Sequence, residues 1–337
     1  MSLLFFEALS RLLPQSRIDV IAKRSIQDVF LHHPAIHALI PFSKTDTRGL
    51  WQLFQFGRNL RKQERYDAFV TLAPSFSSAM IGLGSGAPAR LGYAGEGRSL
   101  LFTQALPRET GIHRVVSYIR LAERLVNAKL SPQALVNIVE NGWFCFSQAE
   151  QQQIMLPAEH DVRAIVFNVN SEASSRRLPL ETWIQLGKRL LQASTPRYRL
   201  VFIGAPSERE RVQQVIQGIG AAADIFDYCG KTSLRELAML LRDADLAISN
   251  DSGPMHLANA VGTPVITFFG AGNPAETAPF YQQNAVVLNK HLECSPCVKN
   301  VCKFSSVRCL EQISADEIYQ TVIEILEPRN TRNTRKL

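Results

Sequence analysis

The chain has 337 residues, 46% of them hydrophobic, with 37 basic against 30 acidic side chains and a net charge of +7. This describes a globular protein long enough for two domains of ~100–200 residues each, and the absence of any apolar run near ~18 residues argues against a membrane-spanning helix. The modest basic excess is not a nucleic-acid signature and no nucleic-acid partner is expected; it suits a protein that handles anionic small molecules or works near an anionic membrane surface.

The chain opens on MSLLFFEALSRLL (1–13), where apolar residues recur at helical spacing and Glu7 and Arg11 interrupt them. Without a basic leader this reads as an amphipathic helix and not a signal peptide, so a cytoplasmic protein is expected. Short β-branched runs follow at RIDVIA (17–22), YDAFVTLA (66–73), RAIVFNVN (163–170), RLVFIGA (199–205), ADLAISN (244–250) and TPVITFFG (263–270), each leading into a longer helical stretch. Strands alternating with helices imply parallel sheets in βαβ units. The expected fold is therefore α/β, with two doubly wound parallel-sheet domains facing a cleft. The Gln-rich, proline-bearing stretch at 143–161 reads as the junction, giving domains at 1–150 and 160–327. The last helical pattern, at 314–327, ends before Pro328, and 328–337 is expected to be a disordered basic tail.

The segment AISNDSGPMHLANAVGTPVITFFG (247–270) carries the chemistry. It reads as strand, tight turn, helix and strand, and ligands of open parallel sheets bind beyond the carboxyl ends of their strands. Gly253 permits close backbone approach and Pro254 suits the start of a helix. The amides of Ser252, Gly253 and Met255 would then converge where the helix dipole favours an anion. His256, one turn in, can donate to a phosphate oxygen; Asp251 can accept from a sugar or ribose hydroxyl. The plainer alternative makes Asp251 and Ser252 a helix cap and His256 a surface residue.

Two other signals are weaker. GLGSGAP (82–88) looks glycine-rich enough for a nucleotide loop but follows a helical stretch and lacks the spacing of a dinucleotide fingerprint. Cys294, Cys297, Cys302 and Cys309 crowd one loop, yet their x2, x4, x6 spacing departs from paired zinc knuckles. Reduced thiols and no metal are expected.

SNDSGPMHLANAVGTPVITFFG resembles the signature of glycosyltransferase family 9, the lipopolysaccharide heptosyltransferases. GKTSLRELAMLLRDADLAISN (230–250), RRLPLETWIQLGKRL (176–190), GNPAETAPF (272–280) and the cysteine loop agree with it, the last resembling the heptosyltransferase II branch. YDAFVTLAPSFSSAMIGLGSGAPARLGYAGEGR (66–98) and HRVVSYIRLAERL (113–125) fit more loosely. The resemblance implies a GT-B fold, with the nucleotide sugar on the second domain and the acceptor on the first. It further implies inverting, metal-independent transfer of heptose from ADP-heptose to the inner core of lipopolysaccharide, with no cofactor, at the inner face of the cytoplasmic membrane and in peripheral contact with anionic lipid. Asp251, Ser252, Gly253, Pro254 and His256 would hold the donor, with Thr232, a ribose-binding Glu208, and Arg176 where the family carries a diphosphate-binding lysine. Leu178 replaces a tryptophan of the family.

Matched this way, SLLFFEALSRLLPQSRIDVIA (2–22) corresponds to the stretch just after the family's first strand and Gly-Asp loop, whose Asp is the presumed general base. Either the start is assigned too late or the chain is a truncated relative. If Met1 is the start, Glu96 in GYAGEGR is the remaining candidate base, with Arg98 beside it for an anionic acceptor. A non-catalytic nucleotide-sugar-binding protein and a nucleotide-sugar epimerase are the alternatives.

Overall fold

The computed structural model describes residues 1–43, 49–140 and 142–326; the expected basic tail at 328–337 lies outside the described residues. The chain forms two compact units, Met1–Cys145 and Phe146–Leu337. No helix among the described residues is long and apolar enough to cross a membrane.

The first unit runs α1 (Leu3–Leu12), β1 (Asp19–Lys23), β2 (Ala38–Phe42), α2 (Leu50–Gln63), β3 (Ala68–Val70), α3 (Phe76–Ser85), β4 (Ala89–Tyr93), β5 (Gln104–Leu106), α4 (Arg114–Val126) and α5 (Pro132–Glu140). The opening segment is the helix its spacing predicts, and it buries Leu3, Leu4, Phe5, Phe6, Ala8 and Leu9. All pairings among the described residues of this unit are parallel, and they make two sheets, β1–β2 and β3–β4–β5. The three-residue β3 pairs only on its β4 side, so no ladder joins it to β1 among the described residues.

GLGSGAP is helix packing and not a nucleotide loop. A Cβ on Gly57 of α2 would collide with the Ile81 carbonyl of α3, and one on Gly84 of α3 with the Phe54 carbonyl of α2. The two helices therefore touch backbone to backbone, which only glycine permits. Gly86, at φ 65°, then closes α3 in the left-handed conformation.

The second unit runs α6 (Gln148–Gln152), β6 (Val162–Asn168), α7 (Leu180–Leu191), β7 (Arg197–Phe202), α8 (Arg209–Ile219), β8 (Ile225–Asp227), α9 (Leu234–Asp243), β9 (Leu246–Asn250), α10 (Gly253–Val261), β10 (Val265–Phe269), α11 (Pro274–Thr277), β11 (Ala285–Asn289), α12 (Arg308–Glu311) and α13 (Ala315–Leu326). One parallel sheet has the order β11-β10-β9-β6-β7-β8. Strands β9 and β10 are buried at every residue, which is why they read as unbroken apolar runs. Phe167 sits at the centre of the core, its ring 5.1 Å from Trp183 and 5.3 Å from Phe202. Leu178 belongs to the same core and is fully buried. Helix α6 is fastened to α9 by Glu150, whose two carboxylate oxygens accept from Arg235 at 2.5 and 2.6 Å.

In this sheet the chain leaves β6 towards β7 and β8 on one side and fills β9, β10 and β11 on the other. The reversal falls between β6 and β9, and the carboxyl ends of strands at such a reversal are where open parallel sheets bind ligands.

Candidate functional site

Both strands at the reversal end in asparagine. Asn168, in register with Ser249, donates its side-chain amide to Ser249 Oγ at 2.8 Å and to Ser252 Oγ at 2.6 Å. Asn250 donates to the Asn168 carbonyl at 3.4 Å and accepts from the Leu178 amide at 2.9 Å. Ser171 Oγ donates to the Asp251 carbonyl at 3.0 Å. Buried polar groups persist where they are hydrogen-bonded, and here they lock the two strand ends and the segment after β6 into one rigid rim.

That rim decides what Ser252 does. Its backbone stands at the cap position of α10, but no side-chain cap is made. The hydroxyl instead accepts from Asn168 and donates to the Asn250 carbonyl at 3.3 Å. The Ser252 side chain therefore does not cap the helix. The first turn of α10, with Gly253 exposed and Pro254 behind it, presents amides that carry the positive end of the helix dipole and receive no cap from Ser252. His256 is half-buried in the next turn.

Beside it, Arg176 Nη1 lies 3.2 Å from the buried Asp251 Oδ2. Arg176 ends a short 3-10 turn, Ser174–Arg176, and its Nε is buried with no hydrogen-bond partner. The turn is strapped to the cysteine loop: the Ser175 amide donates to the Asn300 carbonyl at 3.2 Å and Ser175 Oγ to the Lys299 carbonyl at 2.5 Å. The same loop braces the end of β10 through Ser295 to the Gly270 carbonyl and the Val298 amide to the Ala271 carbonyl. A Cβ on Gly272 would collide with the Asp251 carboxylate. None of the six cysteines forms a disulfide; burial pushes the Cys309 thiol up, and Cys294, Cys302 and Cys297 add to the effect.

Glu208 and Thr232 lie in the loops after β7 and β8, on the same edge of the sheet. Glu208 Oε2 accepts from the Ala205 amide at 2.7 Å and shapes its own turn. Thr232 is half-buried just before Ser233, the cap of α9. Arg211 donates to the Val169 and Leu178 carbonyls at 3.1 and 2.7 Å, and burial lowers its pKa to about 10. Asn168, Ser171, Asn250, Arg211 and Gly272 were not singled out by sequence reasoning. The available signal was a polar residue ending an apolar strand, in VFNVNS and in AISND.

In the first unit, Glu96 and Arg98 share the turn after β4. Arg98 is buried and faces inward, with Nε donating to the Tyr93 carbonyl at 2.8 Å, Nη2 to the Ala94 carbonyl at 3.0 Å, and Nη1 3.4 Å from Glu96 Oε2. Its guanidinium builds the turn and is not presented to an acceptor. Glu96 stands exposed at φ 49° between Gly95 and Gly97, both also at positive φ. Glu7, His33 and Cys145 gather ligand atoms within 4.8 Å of one another. Yet His33 Nδ1 accepts from the Ala35 amide at 3.2 Å, so the ring proton sits on Nε2, 3.3 Å from Glu7 Oε1. A ring nitrogen that carries the proton does not ligate a metal, and this one is buried without a hydrogen-bond partner.

The family model for glycosyltransferase family 9 (heptosyltransferase) matches residues 53–308. Lipopolysaccharide heptosyltransferase 2 of Escherichia coli K12 is 26% identical over 302 residues, covering 85% of this chain and 83% of that protein. The solved structure of E. coli ADP-heptose LPS heptosyltransferase II superposes with a TM-score of 0.75 at 22% identity, covering 96% of this chain and 94% of that one. A family 9 glycosyl transferase from Veillonella parvula superposes at 0.78 with 24% identity, covering 96% and 92%.

Proposed function

We propose, from the premise that the chain belongs to glycosyltransferase family 9 and has its GT-B fold, that it moves a heptose from ADP-heptose onto the inner core of lipopolysaccharide with inversion and without a metal ion. The observation that supports this reading best is the first turn of α10, which the Ser252 hydroxyl leaves uncapped, beside the Arg176–Asp251 pair. With no metal, the charge growing on a departing diphosphate has to be met by fixed dipoles and cations. Amides at Gly253 and Met255, the Arg176 guanidinium and the His256 imidazole are the groups offered; Glu208 and Thr232 are assigned to the nucleoside side. In the step itself the acceptor hydroxyl attacks the anomeric carbon from the face opposite the diphosphate. The bond from that carbon to the ADP oxygen breaks as the new glycosidic bond forms, and the hydroxyl proton passes to a carboxylate. Glu96 is the carboxylate we assign on the acceptor-binding unit. Because the acceptor is a glycolipid, the enzyme works at the inner face of the cytoplasmic membrane, in peripheral contact with it.

The test is a transfer assay with ADP-heptose and a core glycolipid acceptor in the presence of EDTA, with the anomeric configuration of the product read by NMR. Turnover with inverted configuration is expected. Retained configuration, or activity lost to EDTA and restored by a divalent ion, would overturn the mechanism.

A further inference from the structure

The outer face of α2 carries an arrangement that neither the donor site nor the turn at Glu96 uses. A helix advances ~100° per residue, so Trp51, Gln55, Arg58 and Lys62 fall in one narrow stripe. The opposite face, Leu53, Gly57 and Leu60, is buried, and the glycine contacts with α3 hold that side backbone to backbone. The outer stripe is thus presented on a rigid support. At its start Trp51 is 66% and Leu50 53% exposed, with the Trp51 ring stacked on Phe54 at 5.7 Å. Further along, Arg58, Arg61 and Lys62 are all exposed. No residue of Leu50–Gln63 is acidic, and Glu64 just beyond is engaged by Arg17 at 3.2 Å.

The geometry points to this face as the surface by which the first unit docks on a bilayer with anionic headgroups. This deepens the membrane-side reading above and rests on it. The chemistry divides along the helix: an amphipathic ring and a leucine at one end suit the headgroup–acyl boundary, and the three cations reach lipid phosphates. Charge complementarity selects an anionic lipid surface. Two exposed apolar side chains fall far short of the ~800 Å² per partner that a stable protein interface buries.

The full chain itself carries the probe. Trp143 and Trp183 are 4% and 0% exposed, so a vesicle-induced change in tryptophan emission reports Trp51. The experiment combines emission spectra with co-sedimentation on phosphatidylcholine vesicles, with and without ~30% phosphatidylglycerol. Wild type is expected to sediment with the anionic vesicles, shift its emission to the blue, and release at about 0.5 M salt. At ~1 kcal/mol per surface-facing cation, Arg58→Gln with Lys62→Gln should lower partitioning ~25-fold. Trp51→Ser should abolish the emission shift. All these side chains are exposed, so the variants should melt with wild type.

Several results would overturn the assignment: partitioning unchanged in both variants, an emission shift that persists in Trp51→Ser, or equal binding to uncharged vesicles. So would light scattering that shows Trp51→Ser dissolving a dimer while vesicle binding is unchanged. Transfer to a soluble, deacylated acceptor separates this idea from the transferase reading. Equal transfer by wild type and variants supports a docking role. Loss in the variants alone means the face grips acceptor sugars and overturns it. No transfer by wild type counts against the proposed activity and leaves the vesicle result standing.

Discussion

Asp251 and Glu96 are both carboxylates in turns that follow a parallel strand, and each has an arginine within reach, at 3.2 and 3.4 Å. The two pairs are built the opposite way round. At Asp251 the acid side chain is 4% exposed and its Arg176 partner 27%; at Glu96 the acid is 78% exposed and Arg98 4%. One turn buries its anion and shows a cation, the other buries its cation and shows an anion. A departing diphosphate needs the first arrangement and a hydroxyl proton needs the second. What an ion pair offers a ligand is therefore set by which member the backbone buries.

The largest effect should come from breaking the first pair. Arg176→Ala is expected to lower kcat/KM by ~10²–10³-fold, the range for one preorganised charge-stabilising group, and to weaken ADP binding in calorimetry. It also leaves Asp251 buried without its cation, which is strongly destabilising. The double variant with Asp251→Asn should recover stability but not ADP affinity. Recovery of both would mean that Arg176 is only structural. Glu96→Gln probes the second pair: kcat should fall ~10²-fold with ADP affinity unchanged, and a normal kcat would remove Glu96 from the proton transfer.

Gly272→Ala sharpens the comparison from behind. The added Cβ must displace the Asp251 carboxylate, so about 1–3 kcal/mol of stability and roughly tenfold of turnover should be lost together. An undisturbed variant in both melting and assay would show that the carboxylate position is not critical.

The smallest effect is a control in which neither member faces a ligand. Arg235 hydrogen bonds hold Glu150 down to about 2, from 4.5. A carboxylate whose folded pKa is depressed adds stability above its unfolded value, and that stability disappears as pH falls through the folded one. Melting temperature should therefore drop as pH is lowered from about 4.5 towards about 2. Glu150→Gln should cost about 1–3 kcal/mol near neutrality and flatten that part of the profile. Donor affinity should not change; if it does, α6 is coupled to the site.

Much of the second unit was legible because its signals are local. Strand, turn and helix at 246–261 are contiguous, so the apolar run, the glycine and the proline that follow it announce a strand–helix turn whatever surrounds it. Family resemblance then supplied Arg176, 75 positions upstream of its acid. The first unit was less legible: the alternation of strands and helices does not say which strands pair, and the described strands make two sheets, β1–β2 and β3–β4–β5. GLGSGAP could be discounted as a nucleotide loop from spacing, but its actual reason, helix backbones in contact, depends on Gly57 far away.

The sequence by itself determined the alternation of strands and helices, the parallel sheet that follows from it, and the position of the strand–helix turn between β9 and α10, because each depends on residues within a few turns of one another. Only the tertiary structure decided that Ser252 does not cap α10. Its hydroxyl is claimed by Asn168, brought alongside by the register of β6 against β9. Only the tertiary structure decided, too, that Arg98 points inward, since the Tyr93 and Ala94 carbonyls that hold it converge only once the turn has folded. Spacing along a chain sets which groups are near in sequence; burial and hydrogen-bond partners, which decide their chemistry, are properties of the folded arrangement.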